Sequence, residues 1–373
     1  MNSLEVRKKT ITNIHESEFK FVIVSSGGGS NAIGSLLKVP GASNSILEAY
    51  IPYAKESLDF YLMKKPESYC SLDTTTRMAA RAYSAAKKID QKTNIEQLFG
   101  VAISATLSTN YEKKGSHRFH IAVQTRDFSQ SISCILNKGQ RTREEEEELV
   151  TEFVIALISD CCGFEFKYPE IKEVVEHIQI PAQKGWADLM SEKIKFVTSS
   201  NQQPKLIFPG AFNPMHDGHI AMSELASKEL SEEVFFEICI QNVDKPPLSY
   251  HQIKKTIDQF TDSKNWVLTK AGKFSDKAKL FPNSTFIIGA DTLVRIFDER
   301  FYASRREMME EFEIFNANNN NFLVFGREYK NKFIELNDIQ VPDSIKSRFR
   351  GFGENIFRKD VSSSTIRAQN SEE

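Results

Sequence analysis

The 373-residue sequence contains no apolar run that approaches the roughly 18 residues a membrane-spanning helix needs. Its first twenty residues are polar, and Glu5, Glu16 and Glu18 interrupt their basic character, which argues against a signal peptide or a transit peptide. Cysteine is scarce: there are five, an odd number, and no two form a CxxC pair. We therefore expect no disulfide framework, no bound metal and no membrane partner. We expect a cytoplasmic protein with reduced thiols and leave a nuclear location open.

An excess of charge of one sign is also missing. Lys plus Arg number 48 and Asp plus Glu number 50, so the net charge is −2. This balance argues against a protein built to bind the phosphate backbone of a nucleic acid, and we expect no such partner. What is present is ordinary globular composition, with 40% hydrophobic residues, over a length typical of two domains.

The first half of the sequence reads as strands that alternate with helices. Residues 19–26 form a β-branched apolar run that ends in GGGSN, and residues 117–125 alternate between apolar and polar side chains. The five glutamates at 144–148 stand at the predicted start of a helix, where Thr142 and Glu145 match a capping box. We interpret this run as the solvated start of a core helix.

The second half begins after a loosely patterned stretch. We predict an N-terminal domain over 1–165, a linker over 166–203 with the turn-rich TSSNQQP at its end, and a second domain over 204–373. Five short strand-like runs follow, KLIF, FFEICI, NWVLT, STFIIG and NFLVFG, with helical stretches between most of them. Strands that alternate with helices predict a Rossmann-like, doubly wound parallel sheet, so the expected fold class is α/β in both domains.

The strongest motif follows the first of those five strands. The segment FPGAFNPMHDGHIAM matches a GxFxPxHxGH pattern. Its glycines let the backbone approach a phosphate, and the helix after it offers unpaired N–H groups at a positive dipole end. The defining residues are Gly210, Phe212, Pro214, His216, Gly218 and His219.

A second motif, VSSSTIR, lies near the C-terminus. Hydroxyls and backbone amides at a helix start, followed one turn later by an arginine, can hold a polyphosphate. Ser363, Ser364 and Arg367 are the residues that would do so. Serine-rich helix starts are common, and it is the pairing with the upstream motif that makes this segment specific.

With these two motifs, residues 204–373 resemble the HxGH-type nucleotidyltransferases, and most closely the nicotinamide-mononucleotide adenylyltransferases. The segment FIIGADTLVRIF is similar to a GxDxL segment of that family, which implies that Gly289 and Asp291 lie at the bound nucleotides. The resemblance implies attack by a mononucleotide phosphate on the α-phosphate of ATP, with His216 and His219 at the phosphates. It also implies Mg²⁺ bound through the ATP phosphates.

The acceptor is less well defined. In the stretch 242–255 the family carries acceptor-binding groups and an arginine; here Lys245 could bind phosphate, and His251 or Gln252 stands near the place of that arginine. Nucleotidyl transfer from ATP or CTP to another phosphorylated acceptor is therefore an alternative. So is a nucleotide-binding regulator without turnover. A homo-oligomer is possible.

Residues from about 19 to 162 resemble the C-terminal amidase domain of competence-damage-inducible proteins, whose active members deamidate nicotinamide mononucleotide. The resemblance rests on SSGGGSNAIGSLLKVPGAS, on GVAIS and on the strand FHIAVQT. It places Ser26 at the nucleophile and Tyr53 at the family's tyrosine, whereas the activating lysine falls on Leu58. Lys55, one helical turn earlier, is the remaining base. We predict an amidase-like fold whose old site is vestigial.

Overall fold

The computed structural model describes residues 3–111, 113–165, 167–241, 246–260, 264–329, 332–359 and 361–370. It divides into two units. The N-terminal unit comprises Met1–Ser191 together with Asp244–Lys254, and the C-terminal unit comprises Glu192–Val243 together with Lys255–Glu373. None of the helices in the described part of the chain combines the length and the apolar composition that crossing a membrane demands.

The elements of the N-terminal unit follow one another as α1 (Ser3–Glu16), β1 (Lys20–Gly27), α2 (Asn31–Leu37), α3 (Ala42–Ser45), β2 (Ile46–Tyr50), α4 (Lys55–Leu62), α5 (Leu72–Ile89), β3 (Leu98–Thr106), β4 (His117–Gln124), β5 (Phe128–Leu136), α6 (Arg143–Cys161), β6 (Val175–Pro181) and α7 (Trp186–Met190). The sheet order is β2-β1-β3-β4-β5-β6. Strand β1 is parallel to β2 and β3, and the remaining pairs are antiparallel.

The elements after residue 191 follow as β7 (Phe196–Thr198), β8 (Leu206–Pro209), α8 (Asp217–Leu230), β9 (Val234–Cys239), α9 (Tyr250–Ile257), β10 (Asn265–Thr269), α10 (Phe274–Leu280), β11 (Thr285–Gly289), α11 (Ala290–Ile296), α12 (Arg305–Ala317), β12 (Asn321–Phe325), β13 (Arg327–Tyr329), β14 (Lys332–Ile334), β15 (Phe349–Phe352) and α13 (Ser363–Asn370). The sheet order is β15-β12-β11-β8-β9-β10-β7, and every pair is parallel except β10 with β7.

The five strands predicted for the second domain are confirmed as β8, β9, β10, β11 and β12. The chain enters the sheet at β8, adds β9 and β10 on one side, and then returns to add β11 and β12 on the other. The order of strands therefore reverses between β8 and β11. In open parallel sheets, ligands bind outside the carboxyl ends of the strands at such a reversal.

Helix α6 corrects part of the prediction for the glutamate run. The capping box is present, since Thr142 Oγ1 accepts from the Glu145 N–H at 3.2 Å. However, Glu146 is fully buried, where it accepts from the Ser108 N–H at 2.6 Å and pairs with His117 Nδ1 at 2.8 Å. One glutamate of the run is thus a buried hydrogen-bonding group, because the helix turns it toward the neighbouring strands.

The stretch expected to be a linker is largely ordered. Strand β6 pairs with β5 along its whole length, and α7 places the buried side chain of Trp186 in the N-terminal unit. Strand β7 pairs with β10. The loose hydrophobic pattern of 166–203 arises because β6 lies at a sheet edge with mostly exposed side chains, so it lacks the apolar run of a buried strand.

Residues 246–254, which follow β9 in the sequence, pack within the N-terminal unit. Gln252 is buried and its amide donates to Thr76 Oγ1 at 2.6 Å. Tyr250 is also buried, and its backbone N–H donates to Ser129 Oγ at 3.0 Å. Gln252, considered for the acceptor site, is thus a structural residue of this unit.

A buried ion pair stabilises the sheet of the C-terminal unit. Lys277 on α10 donates to both carboxylate oxygens of Glu237 on β9, at 2.7 and 2.8 Å, and to the Ala271 carbonyl at 2.6 Å. Both side chains are at least 95% buried. The C=O of Glu237 accepts from the Gly210 N–H at 3.0 Å, so this pair lies close to the loop that follows β8.

Candidate functional site

The site is built around the loop 210–216, which joins β8 to α8. Phe212 has a left-handed backbone conformation, with φ of 44°, and its side chain is 1% exposed. Its ring lies where a side chain on Gly210 would be, since a Cβ there would come within 2.5 Å of the ring. The loop therefore requires glycine at 210 and packs its aromatic residue inward.

The two predicted histidines lie together at the start of α8. Their rings stack with centroids 3.7 Å apart. The backbone N–H of His216 donates to Nδ1 of His219 at 3.3 Å. Because Nδ1 accepts this hydrogen bond, the neutral ring of His219 holds its proton on Nε2. His219 therefore offers an N–H donor on the side of the ring away from the backbone.

The surroundings of His219 keep its ring neutral. The rings of Phe208 and Phe212 meet it edge-on, at centroid distances of 5.8 and 5.1 Å. Burial, with smaller contributions from His216 and Arg327, lowers the pKa of His219 to about 3. Burial and Arg327 also lower the pKa of His216. Both histidines of the pair are thus uncharged at neutral pH.

Arg327 is a cation that the sequence analysis missed. It follows β12, and its guanidinium lies 3.4 Å from the Asp291 carboxylate. The absence of a side chain at Gly289 makes room for both, because a Cβ there would come within 2.5 Å of Asp291 Oδ1 and 3.2 Å of Arg327 Cδ. The sequence does contain a signal for Arg327, because a basic residue directly follows NFLVFG. It therefore stands at the carboxyl end of a strand predicted to belong to the parallel sheet.

The two motifs meet in the structure although about 150 residues separate them. The hydroxyl of Ser363, at the start of α13, donates to the Pro214 carbonyl at 2.8 Å. The guanidinium of Arg367 donates to the Asn213 carbonyl. Ser363 and Arg367 thus hold the loop itself, and their predicted contact with phosphate stays a prediction. The side chain of Ser364 and all of Lys245 lie outside the described residues.

Gly218 packs in a narrow space next to His216. A Cβ at this position would come within 3.0 Å of the His216 ring and 3.8 Å of Lys359 Cβ. The motif therefore needs glycine here for close packing. The contact also brings Lys359, a second basic residue that the sequence analysis did not consider, beside the start of α8.

In the N-terminal unit, the predicted amidase residues have unrelated partners. The Ser26 hydroxyl donates to the Pro52 carbonyl at 3.1 Å. The Lys55 ammonium lies over the Tyr69 ring, 5.6 Å from its centroid, and Tyr53 is 69% exposed. Leu58, at the position of the family's lysine, is 1% exposed in an apolar cluster with Val22 and Val24. That the amidase site is vestigial stays a prediction.

The GGGS loop of the same unit is occupied by a carboxylate from the chain. The Gly29 N–H donates to both oxygens of Glu147 at 2.9 Å, and the Asn31 N–H donates to one of them at 3.1 Å. The Gly28 N–H donates to the Ala105 carbonyl at 3.0 Å. Three backbone donors of this loop, the N–H groups of Gly28, Gly29 and Asn31, are thus already bound to internal acceptors and do not face an oxyanion.

Residues 207–369 match the family model described as cytidylyltransferase-like. The C-terminal half of the chain carries a cytidylyltransferase-like domain. The matched residues include both motifs, so the likeness to a nucleotidyltransferase family predicted for this half is found again in the family-model match. No sequence among the curated proteins matches the chain.

Solved structures resemble each half of the chain. The N-terminal part matches CinA proteins, among them the competence/damage inducible protein CihA from Agrobacterium tumefaciens, with 16% identity over 42% of this chain and 94% of that one, and a TM-score of 0.34. A CinA superfamily protein from Klebsiella pneumoniae gives 12% identity over 44% of this chain and 99% of that one, with a TM-score of 0.35. The nicotinic acid mononucleotide adenylyltransferase of Plasmodium falciparum, complexed with NaAD, has 17% sequence identity over 45% of this chain and 83% of that one, with a TM-score of 0.27.

Proposed function

We propose that the cytidylyltransferase-like domain transfers a nucleotidyl group from a nucleoside triphosphate to a phosphorylated acceptor and releases pyrophosphate. The observation that carries this proposal is the junction of the two motifs. Ser363 and Arg367 bind the carbonyls of the loop that presents His216 and His219. One loop therefore connects the residues that the resemblance assigns to the α-phosphate with those that it assigns to the β- and γ-phosphates.

The proposed reaction is an in-line displacement. An oxygen of the acceptor phosphate forms a bond to the α-phosphorus, and the bond from that phosphorus to the bridging oxygen of the β-phosphate breaks, so that pyrophosphate leaves. No protein nucleophile is required, and catalysis rests on positioning and on stabilising negative charge. The Nε2–H of His219 would donate to an α-phosphoryl oxygen, whose charge grows in the transition state.

Positive charge for the phosphates would come from the chain itself. Helix α8 is 14 residues long, and its N-terminus, the positive end of its dipole, lies at the loop. Arg327 lies at the neighbouring strand end, near enough to lower the pKa of both histidines. We propose that Arg327 binds a phosphate oxygen when the nucleotide is present.

Mg²⁺ would arrive with the triphosphate. Among the described residues, no group of three or more histidine, cysteine or carboxylate side chains could hold a metal ion. The Asp291 carboxylate is already paired with Arg327 at 3.4 Å. We propose that the ion is carried on the phosphate oxygens, where Mg²⁺ would neutralise the charge of the leaving group.

For the acceptor we propose nicotinamide or nicotinate mononucleotide, with ATP as the donor, so that the product is a dinucleotide of NAD synthesis or salvage. This choice rests on the sequence resemblances of the two halves, each of which points independently to pyridine mononucleotides. The geometry of the described residues is equally compatible with CTP and with another phosphorylated acceptor.

Pyrophosphate release tests the proposal. The full-length protein would be assayed with ATP, CTP, GTP and UTP, each against nicotinamide mononucleotide, nicotinate mononucleotide, a phosphoalcohol and a sugar phosphate. We expect release with ATP and a pyridine mononucleotide, with the dinucleotide identified by mass spectrometry. Release only with another pair would overturn the acceptor or the donor assignment. Binding of ATP by calorimetry without release from any pair would overturn transfer in favour of a nucleotide-binding regulator.

A further inference from the structure

We propose that Gln259 is a positioning residue for the nucleotidyl transfer, because its side-chain amide sets the conformation of the loop 212–215. This inference rests on the proposed function of the domain. Gln259 lies in the turn that follows α9, more than forty residues beyond the loop in the sequence, and neither motif contains it.

The amide of Gln259 spans the loop from one end to the other. Its Oε1 accepts from the Met215 N–H at 2.8 Å, and its Nε2 donates to the Phe212 carbonyl at 2.9 Å. Both hydrogen bonds have ordinary lengths for N–H···O pairs. A side chain with a donor and an acceptor on one planar group is required, since one loop atom is a donor and the other is an acceptor.

The two ends of the loop, Phe212 and Met215, set the position of the His219 ring. Phe212 holds a left-handed backbone conformation and packs its ring on His219. Met215 precedes His216, whose backbone N–H fixes the ring of His219. A shift of either end would therefore turn the donor Nε2–H of His219 away from its position. The middle of the loop is held separately, by Ser363 and Arg367.

The position of Gln259 is itself well supported. The next residue, Phe260, packs its ring against Phe212 and Phe236, at centroid distances of 5.8 and 5.1 Å. Within the same turn, Gln259 Nε2 also approaches the Thr256 carbonyl at 3.3 Å. The amide is thus presented by a turn that packs on the loop it binds, as a side chain that orients a reactive group should be.

Two substitutions separate the contributions of the amide. Gln259→Leu removes both hydrogen bonds, and we expect kcat to fall by about 10–100-fold with little change in the KM for the triphosphate, since misplacing a reacting group by about 1 Å can cost that much. Gln259→Glu keeps an acceptor for the Met215 N–H but loses the donor to Phe212. Gln202→Leu and Gln202→Glu, at an exposed glutamine of the same unit, serve as matched controls and should leave kcat unchanged.

A pH profile distinguishes positioning from mere folding. When the carboxyl group introduced by Gln259→Glu is protonated, it again offers one donor and one acceptor. We therefore expect the kcat of this variant, relative to the unaltered protein, to recover as the pH falls from 7.5 to 5, while the deficit of Gln259→Leu stays constant. Both variants should keep the circular dichroism spectrum and the unfolding temperature within a few degrees.

The outcomes separate this inference from the proposed function. If the unaltered protein transfers a nucleotidyl group and Gln259→Leu retains its kcat, Gln259 has no positioning role. A loss of kcat in Gln259→Glu that is independent of pH, or an equal loss in the Gln202 variants, contradicts it as well. If the unaltered protein transfers nothing with any donor and acceptor pair, the proposed function fails, and this inference, which rests on it, is overturned with it.

Discussion

Replacing His219 tests the chemistry at its most specific atom. Leucine at this position fills the space between Phe208 and Phe212 but removes the Nε2–H donor and leaves the His216 N–H without its acceptor. Removing one preorganised donor to a transition-state oxyanion costs about 10²–10³-fold in kcat, or about 2.7–4 kcal/mol. We expect a loss of that size for His219→Leu and for His219→Ala. For His219→Gln, which retains an N–H donor, we expect a smaller loss.

The same structure predicts the pH dependence. With its pKa lowered to about 3, His219 stays neutral throughout the range from pH 5 to 8. An acidic limb near pH 6.5 in the kcat/KM profile should therefore not come from His219, and any such limb should persist in His219→Gln. The unfolded chain binds a proton at this residue below about pH 6.5 and the folded protein does not, so folding stability contributed by the neutral ring declines as the pH falls from about 6.5 toward 3.

Pyrophosphate release and thermal unfolding of the same variants give both readouts. His219→Leu should be slow at every pH and should lose less stability on acidification than the unaltered protein does. Near-normal turnover in His219→Leu, with the fold intact, would remove His219 from the mechanism. A titration near pH 6.5 that belongs to His219 would refute the argument that burial keeps the ring neutral.

Three further predictions concern other parts of the chain. Arg367→Ala should weaken the binding of ATP more than that of AMP in calorimetry, because the β- and γ-phosphates are missing from AMP; equal losses would leave Arg367 only its role on the Asn213 carbonyl. The full-length protein should release no ammonia from nicotinamide mononucleotide, since buried Leu58 supplies no base; release that Ser26→Ala abolishes would show a working amidase. Lys277→Met should lower the free energy of unfolding by about 3–5 kcal/mol by leaving Glu237 unpaired, and adding Glu237→Leu should restore much of it; an unchanged melting temperature in the single variant would count against this.

Much of the C-terminal sheet was predictable because its signals are local. Each central strand is a short apolar run, and the loop after β8 is marked by glycines and histidines at fixed spacing. The edge strand β6 was missed for the opposite reason, since its exposed side chains give no apolar run. The burial of Glu146 could not be foreseen either, because it depends on the Ser108 N–H and on His117, which come from other parts of the chain.

The candidate site shows the same division. The histidines and the serine-rich helix were found by their motifs, but the way in which α13 binds the loop carbonyls was not, since nothing in VSSSTIR specifies its partner. Gln259 and Arg327 were missed because each is a single common residue outside any motif. Only the folded chain brings them to the end of β8, and there each one acts on a histidine, Gln259 through the loop and Arg327 through its charge.

The charge state of the site follows from these neighbours and bears on how a triphosphate would enter. If both histidines were protonated beside Arg327 and the start of α8, the site would hold three like charges close together. Burial avoids this by keeping both rings neutral. A bound phosphate would then be met by the fixed charge of Arg327 and by neutral donors that are already oriented. Such donors need no reorganisation as charge develops on the α-phosphoryl oxygens, and this is the condition under which hydrogen bonds favour the transition state over the bound substrate.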